Sequence, residues 1–130
     1  MTAQIITKPW GRELILTTSD LPYTAKILEI NAGQRLSLQY HDQKIETLTI
    51  FQGEANIIWG KSADNLITEK MLPQNAYTIK PGTIHRFEAI TDCKLFEASS
   101  PETGTTFRLQ DDTERSDETE TLRNSPNRGY

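Results

Sequence analysis

The stretch Gly33–Gly53, GQRLSLQYHDQKIETLTIFQG, decides the fold. An extended strand turns alternate side chains to one face, so Arg35, Ser37, Gln39 and His41 form a polar face and Leu36, Leu38 and Tyr40 an apolar one. After a turn at Asp42-Gln43-Lys44, Glu46 shares a face with Leu48 and Ile50 on what the spacing predicts to be the antiparallel partner. Facing water, this would be an ordinary hairpin. Facing into a barrel, it sets Gln39, His41 and Glu46 where an unpaired carboxylate is costly, and a divalent metal ion supplies the compensation.

A second histidine follows the turn Pro81-Gly82. His85 shares parity with Phe87 and Ala89, a small apolar face that looks inward, and opposes Arg86 and Glu88. Imidazole nitrogen and carboxylate oxygen suit Zn, Mn, Fe, Co or Ni, and the amide oxygen of Gln39 adds a neutral hard ligand. Gln39, His41, Glu46 and His85 are therefore the candidate metal ligands. Taken singly, each histidine reads equally as a hydrogen-bonded core or surface residue.

The rest of the chain repeats the short alternating pattern. It predicts strands over Glu13–Thr17, Thr24–Ile30, Arg35–His41, Glu46–Phe51, Glu54–Trp59, Ile67–Leu72, Ala76–Ile79, Ile84–Ile90 and Lys94–Ala98, separated by turn residues. No amphipathic helix and no internal repeat stands out, so the fold class is all-β, a sandwich or barrel.

With 130 residues the chain fits one domain. A net charge of −4 argues against a nucleic-acid or anionic-membrane partner. Cys93 is the sole cysteine and makes no internal disulfide, no apolar run approaches the ~20 residues of a membrane span, and no secretory signal pattern opens the chain. These features predict a cytoplasmic protein. Composition shifts after Ala98: from Pro101 to Tyr130 seven acids face four arginines, which places −3 of the net charge there. The expected organisation is a barrel over residues 1–100 and a polar tail over 101–130 that wraps the domain or is partly disordered. The outward parity of Leu36, Leu38 and Tyr40 leaves an apolar face that predicts a homodimer.

The motif spacings resemble the cupin superfamily. Its first motif, G-(x)5-H-x-H-(x)4-E-(x)6-G, is matched by Gly33, His41, Glu46 and Gly53, with Gln39 in place of the first histidine. Its second, P-x-G-x-x-H-(x)3-N, is matched at Gly82 and His85, with Lys80 at the proline position and Ala89 at the asparagine position. The resemblance covers roughly Lys8 to Ala98 and implies a double-stranded β-helix, a jelly-roll-like barrel.

Within cupins the chain resembles the mannose-6-phosphate isomerases, especially the isomerase domain of the bifunctional isomerase and guanylyltransferase enzymes. KPWGRELI (Lys8–Ile15), GQRLSLQYH and FRLQDDTER (Phe107–Arg115) are similar to segments of that domain. Gln43, Thr47 and Leu48 depart from it, standing where those enzymes carry a further histidine and a His-Trp pair. The resemblance implies Gln, His, Glu and His as metal ligands, which falls on Gln39, His41, Glu46 and His85.

The activity it implies is aldose–ketose isomerisation of a sugar or sugar phosphate through an enediol. That chemistry needs a Lewis acid at the oxygens and a proton carrier. Lys26, Glu97 and a hydroxide on the ion are candidate bases. Arg35, on the ligand face, is the leading phosphate contact, and Arg108 enters by resemblance to a tail arginine. Trp59 and Tyr77 are candidates to line a small-molecule pocket. Two other readings stay open: an Fe(II) dioxygenase, for which two histidines and a carboxylate also serve, and a sugar-binding cupin without turnover.

Overall fold

A computed structural model describes residues 1–126. Among the described residues the chain forms eleven strands and one short helix. The strands are β1 (Gln4–Lys8), β2 (Gly11–Ile15), β3 (Thr24–Ile30), β4 (Leu38–His41), β5 (Glu46–Gln52), β6 (Ala55–Gly60), β7 (Ile67–Lys70), β8 (Tyr77–Ile79), β9 (Ile84–Ala89), β10 (Cys93–Ser99) and β11 (Thr106–Gln110), followed by α1 (Glu120–Arg123). Among the described residues no helix is long and apolar enough to cross a membrane.

Two antiparallel sheets make the barrel, in the orders β1-β2-β3-β10-β5-β8 and β11-β4-β9-β6-β7. Inward positions divide each strand into two chemistries. On β3 the inward residues are Lys26, Leu28 and Ile30; on β5, Glu46, Leu48 and Ile50; on β10, Glu97, Leu95 and Cys93. Register stacks Leu95 beside Leu28 and Ile50, and Glu97 beside Lys26. One end of the barrel is therefore an apolar core built on Ile30, Leu48, Ile50, Ile57, Phe87 and Leu95. The other end is lined with charge.

The sequence misses β1 and β11, both of which turn charged side chains inward. β1 buries Ile6 and Lys8, and β11 places Thr106 and Arg108 on the cavity side. The edge drawn at residue 100 does not coincide with an edge of the sheets, because β11 hydrogen bonds to β4 beyond it. Beyond β11, Glu118 exchanges backbone hydrogen bonds with Thr106, at 2.9 and 3.0 Å. The last part of the expected tail, residues 127–130, lies outside the described residues.

A bulge before β4 overturns the strict alternation expected for Arg35–His41. Arg35 bridges Glu88 and Gln39 pairs with His85, so four steps on one strand face three on the other. The extra residue reverses the parity. Leu36 joins the apolar core and Arg35 turns outward. The backbone carbonyl of Leu36 accepts a hydrogen bond from the buried Arg86 side chain at 3.0 Å. Leu38 is buried and Tyr40 stacks on Phe107 of β11 at 4.9 Å between centroids. Of the apolar face on which the dimer expectation rested, Leu36 and Leu38 are thus buried within the chain and Tyr40 is half-buried against Phe107.

Candidate metal centre and its charged cavity

β4, β5 and β9 bring His41, Glu46 and His85 together, with one ligand atom from each lying within 4.8 Å of the others. All three are buried. Glu46 Oε1 lies 3.5 Å from His41 Nε2 and 3.2 Å from His85 Nε2. Nδ1 of His85 lies 3.0 Å from the Thr83 carbonyl, an acceptor, which places a ring proton on Nδ1 and turns Nε2 toward Glu46. Nδ1 of His41 is held by the Thr106 hydroxyl at 2.8 Å. Both Nε2 atoms are buried without a hydrogen-bond partner. Two imidazole nitrogens and a carboxylate oxygen thus converge on one buried point, a donor set that a cation between them would satisfy. Burial lowers the His41 pKa against the opposing pull of Glu46, which favours the neutral imidazole that ligates metals. The donor set fits a divalent transition metal.

Gln39 lies beside this group as the cross-strand partner of His85 and lines the cavity with His41 and Glu46. Its Oε1 accepts from Ser37 Oγ at 2.6 Å. Trp59 pairs with His85 from the other side, but its Nε1 donates to Glu69 at 2.7 Å and its ring meets Tyr77 edge-on at 6.1 Å. Tyr77 accepts from the Leu72 N–H at 2.8 Å. Trp59 and Tyr77 pack on the core and are not among the residues that line the cavity. Arg35, expected on the ligand face, forks onto Asp112 with two contacts of 2.8 Å on the outer surface. The bulge is the reason.

The cavity beside the histidines measures about 70 Å³ and is lined by five Lys or Arg side chains and five Glu. Lys44, which the sequence assigns to a turn, is buried with Nζ 3.0 Å from Glu46 Oε2 and 3.0 Å from Glu97 Oε2. The signal for it was present, since Lys44 shares parity with Glu46. Burial alone would lower its pKa, yet Glu46, Glu97 and Glu102 hold it well above the usual lysine value. Glu46 goes well below the carboxylate range: burial opposes this, and the Lys44 ammonium leads the groups that outweigh it.

Lys26 contacts Glu13 and Glu102, and these acids overcome burial to raise its pKa. That direction favours the ammonium form and works against Lys26 as the base expected of it. Glu97 moves the other way: burial raises its pKa, Lys44 opposes this, and Glu46 adds to it. Arg108 reaches the cavity from β11, its Nε buried without a hydrogen-bond partner and its outer nitrogen 3.8 Å from Glu118.

A family model described as mannose-6-phosphate isomerase C-terminal matches residues 1–117. No curated protein matches the sequence. Among solved structures, the capsular polysaccharide assembling protein CapF from Staphylococcus aureus is similar over 92% of this chain and 32% of its own, at 13% identity and a TM-score of 0.70. KdgF from Halomonas sp. is similar over 78% of this chain and 89% of its own, at 16% identity and 0.64. Oxalate decarboxylase from Bacillus subtilis is similar over 76% and 27%, at 10% and 0.64. The chain spans about a third of the length of the CapF chain it matches. At these identities the likeness is one of fold, and the two sheets form a cupin barrel, the jelly-roll-like double-stranded β-helix.

Proposed function

The chain belongs to the mannose-6-phosphate isomerase C-terminal family, and on that premise we propose that it is a metal-dependent cupin that interconverts the aldose and ketose forms of a sugar or sugar phosphate. One observation carries the reading: one ligand atom each from His41, Glu46 and His85 converge within 4.8 Å of one another in a buried site. Gln39, His41, Glu46 and His85 would hold a Zn ion, or Mn, Fe, Co or Ni in its place. Such an ion supplies Lewis acidity toward the carbonyl and hydroxyl oxygens of an open-chain sugar. Mn(II) centres are named for the Bacillus subtilis oxalate decarboxylase that shares the fold, which supports a metal in this barrel.

Isomerisation moves a proton between C2 and C1. The C2–H bond breaks, its electron pair becomes the C1=C2 bond of an enediol, and O1 takes a proton; at the ketose end C1 gains a proton and O2 loses one. Glu97 is the proton carrier in this reading. It lies in the cavity wall, and a carboxyl with a raised pKa exchanges protons more readily near neutral pH than an ordinary one. Lys44 orients it from 3.0 Å. Arg108 offers its unpartnered Nε to a ligand oxygen.

The test is metal analysis of purified protein, followed by turnover on a panel of aldose and ketose phosphates. Wild type retains about one divalent ion per chain and isomerises at least one pair; His41→Ala loses both. Metal-loaded protein inactive on every pair sinks the reading. The alternative is a sugar-binding cupin without turnover; at about 70 Å³ the cavity falls far below the ~300 Å³ at which ligand pockets begin, so either reading requires it to open. Binding of a sugar without conversion decides for the alternative. Iron retained with oxygen uptake would point to the dioxygenase instead.

A further inference from the structure

A second cavity, of about 320 Å³, lies against the first. Its size is that of a small-ligand pocket. Its wall carries the hydroxyls of Thr17, Thr18, Ser19 and Thr24, and the side chains of Arg123 and Asn124. Hydroxyl, amide and guanidinium groups of this kind match the hydrogen-bonding surface of a sugar. Glu102 lines both cavities. It lies between β10 and β11, outside any strand.

The Glu102 carboxylate links the two spaces. Oε1 contacts Lys26 Nζ and stands 3.7 Å from Lys44 Nζ; Oε2 stands 3.9 Å from Arg123 Nε, and the backbone carbonyl of Glu102 accepts from Arg123 at 3.2 Å. An anionic group moving inward from the outer cavity would meet Arg123 first, then Lys26 and Lys44. Lys26 holds the Glu102 carboxylate directly, whereas Lys44 is shared with Glu46 and Glu97 and Arg123 with Glu118. The inner cavity's equal numbers of acidic and basic side chains sharpen the point, because withdrawal of Glu102 leaves one positive charge in surplus, the complement of one anion.

We propose that Lys26 and Lys44, with Arg123 at the mouth, form an anion subsite for the carboxylate or phosphate of an acidic sugar, and that Glu102 is its resident occupant, displaced when such a ligand joins the two cavities. The inference rests on the reading that the histidine cavity serves a sugar, and it names the substrate class. It also accounts for a reaction cavity of only about 70 Å³, since the inner space gains the outer one when Glu102 swings away.

The experiment measures binding of glucose 6-phosphate, glucuronate and neutral glucose by calorimetry to the full chain, with a parallel Co²⁺ absorption titration. Glu102→Gln removes the competing charge and is expected to tighten an acidic sugar at least tenfold, with little change for glucose. Whichever of glucose 6-phosphate and glucuronate gains more identifies the anion. Arg123→Gln weakens the acidic sugars alone and leaves the inner lysines untouched. Lys26→Met abolishes the gain; because Glu13 then keeps Lys8 at 3.6 Å, its carboxylate retains a cation. The proposal is overturned if Glu102→Gln binds acidic sugars no more tightly than wild type, if neither protein binds them, or if glucose gains the same factor. Co²⁺ binding reports the histidine site separately, so loss of one reading does not disguise loss of the other.

Discussion

Replacing Lys44 by Met tests whether the metal and the lysine compensate the same carboxylate. Lys44 is 9% exposed in its side chain and stands 3.0 Å from both Glu46 and Glu97. Met keeps much of the volume and removes the charge. Breaking a buried ion pair by deleting one partner costs about 3–5 kcal/mol. In metal-free protein this should lower the urea midpoint by roughly 2 M, at a slope of ~2 kcal/mol per M. With metal bound, Glu46 has a second counter-charge and the ammonium no longer opposes the ion. The penalty should then shrink by at least ~1.4 kcal/mol, which by linkage is a tenfold gain in metal affinity. The assay is urea denaturation in chelator and in excess metal, with a Co²⁺ titration of both proteins. Equal penalties in the two conditions, with unchanged Co²⁺ affinity, would refute the shared-carboxylate argument.

Three further outcomes follow from the same geometry. Burial first, and Asp92 next, push the Cys93 thiol up to about 11, so a thiol reagent at pH 8 should leave native protein unmodified and label it rapidly in urea. Gly33 and Gly53 both take positive φ, 77° and 79°, but an added Cβ at Gly33 meets nothing within 4 Å while one at Gly53 would lie 2.2 Å from the Asp92 carbonyl oxygen. Gly33→Ala should cost about 1–2 kcal/mol and Gly53→Ala at least ~1 kcal/mol more, read from thermal or urea melts. Asp111 is gripped by the Arg115 guanidinium and backbone N–H and by Thr113; these outweigh burial and pull its pKa down from 3.8. A depressed carboxylate stabilises the fold above its unfolded value and ceases to as pH falls through the folded one. The gap in stability between wild type and Asp111→Asn should therefore be widest near pH 6 and narrow below pH 4; a gap that is flat with pH would contradict it.

Period-two alternation is legible wherever a strand is apolar inside. β3, Thr24–Ile30, is found at its expected limits, and β5, β9 and β10 within two residues. The spacing of Gly33, His41, Glu46, Gly53 and His85 brings the ligand cluster with it. Legibility fails where the inward residues carry charge. The pairing of Lys8 and Arg108 with Glu118 has no trace in the sequence, because nothing in a single sequence says which cation meets which anion across the barrel. It fails again at the bulge, where one extra residue between Arg35 and Gln39 reverses the face of Arg35 and puts Leu36 in the core. Parity is an argument about neighbours, and a bulge resets it without any marker in side-chain type.

The apolar and charged ends of the barrel answer to different demands. Removing two charges from water costs several kcal/mol per ion, and a buried pair often does no better than well-packed apolar residues of the same size. Ten charged side chains around some 70 Å³ are therefore an expensive way to hold a barrel together. The apolar end shows that this chain can fill the same strands with Leu and Ile: Leu28 and Ile30 continue the inward face of Lys26, and Leu48 and Ile50 that of Glu46. The switch from apolar to charged falls on β3, β5 and β10 alike, at the end where His41, Glu46 and His85 meet. Stability alone gives no reason for it. A cavity that, as we propose, holds a cation, presents a proton carrier and receives an anionic group would require acids and bases in balance, each kept in place by its neighbours until a ligand takes over one of the contacts.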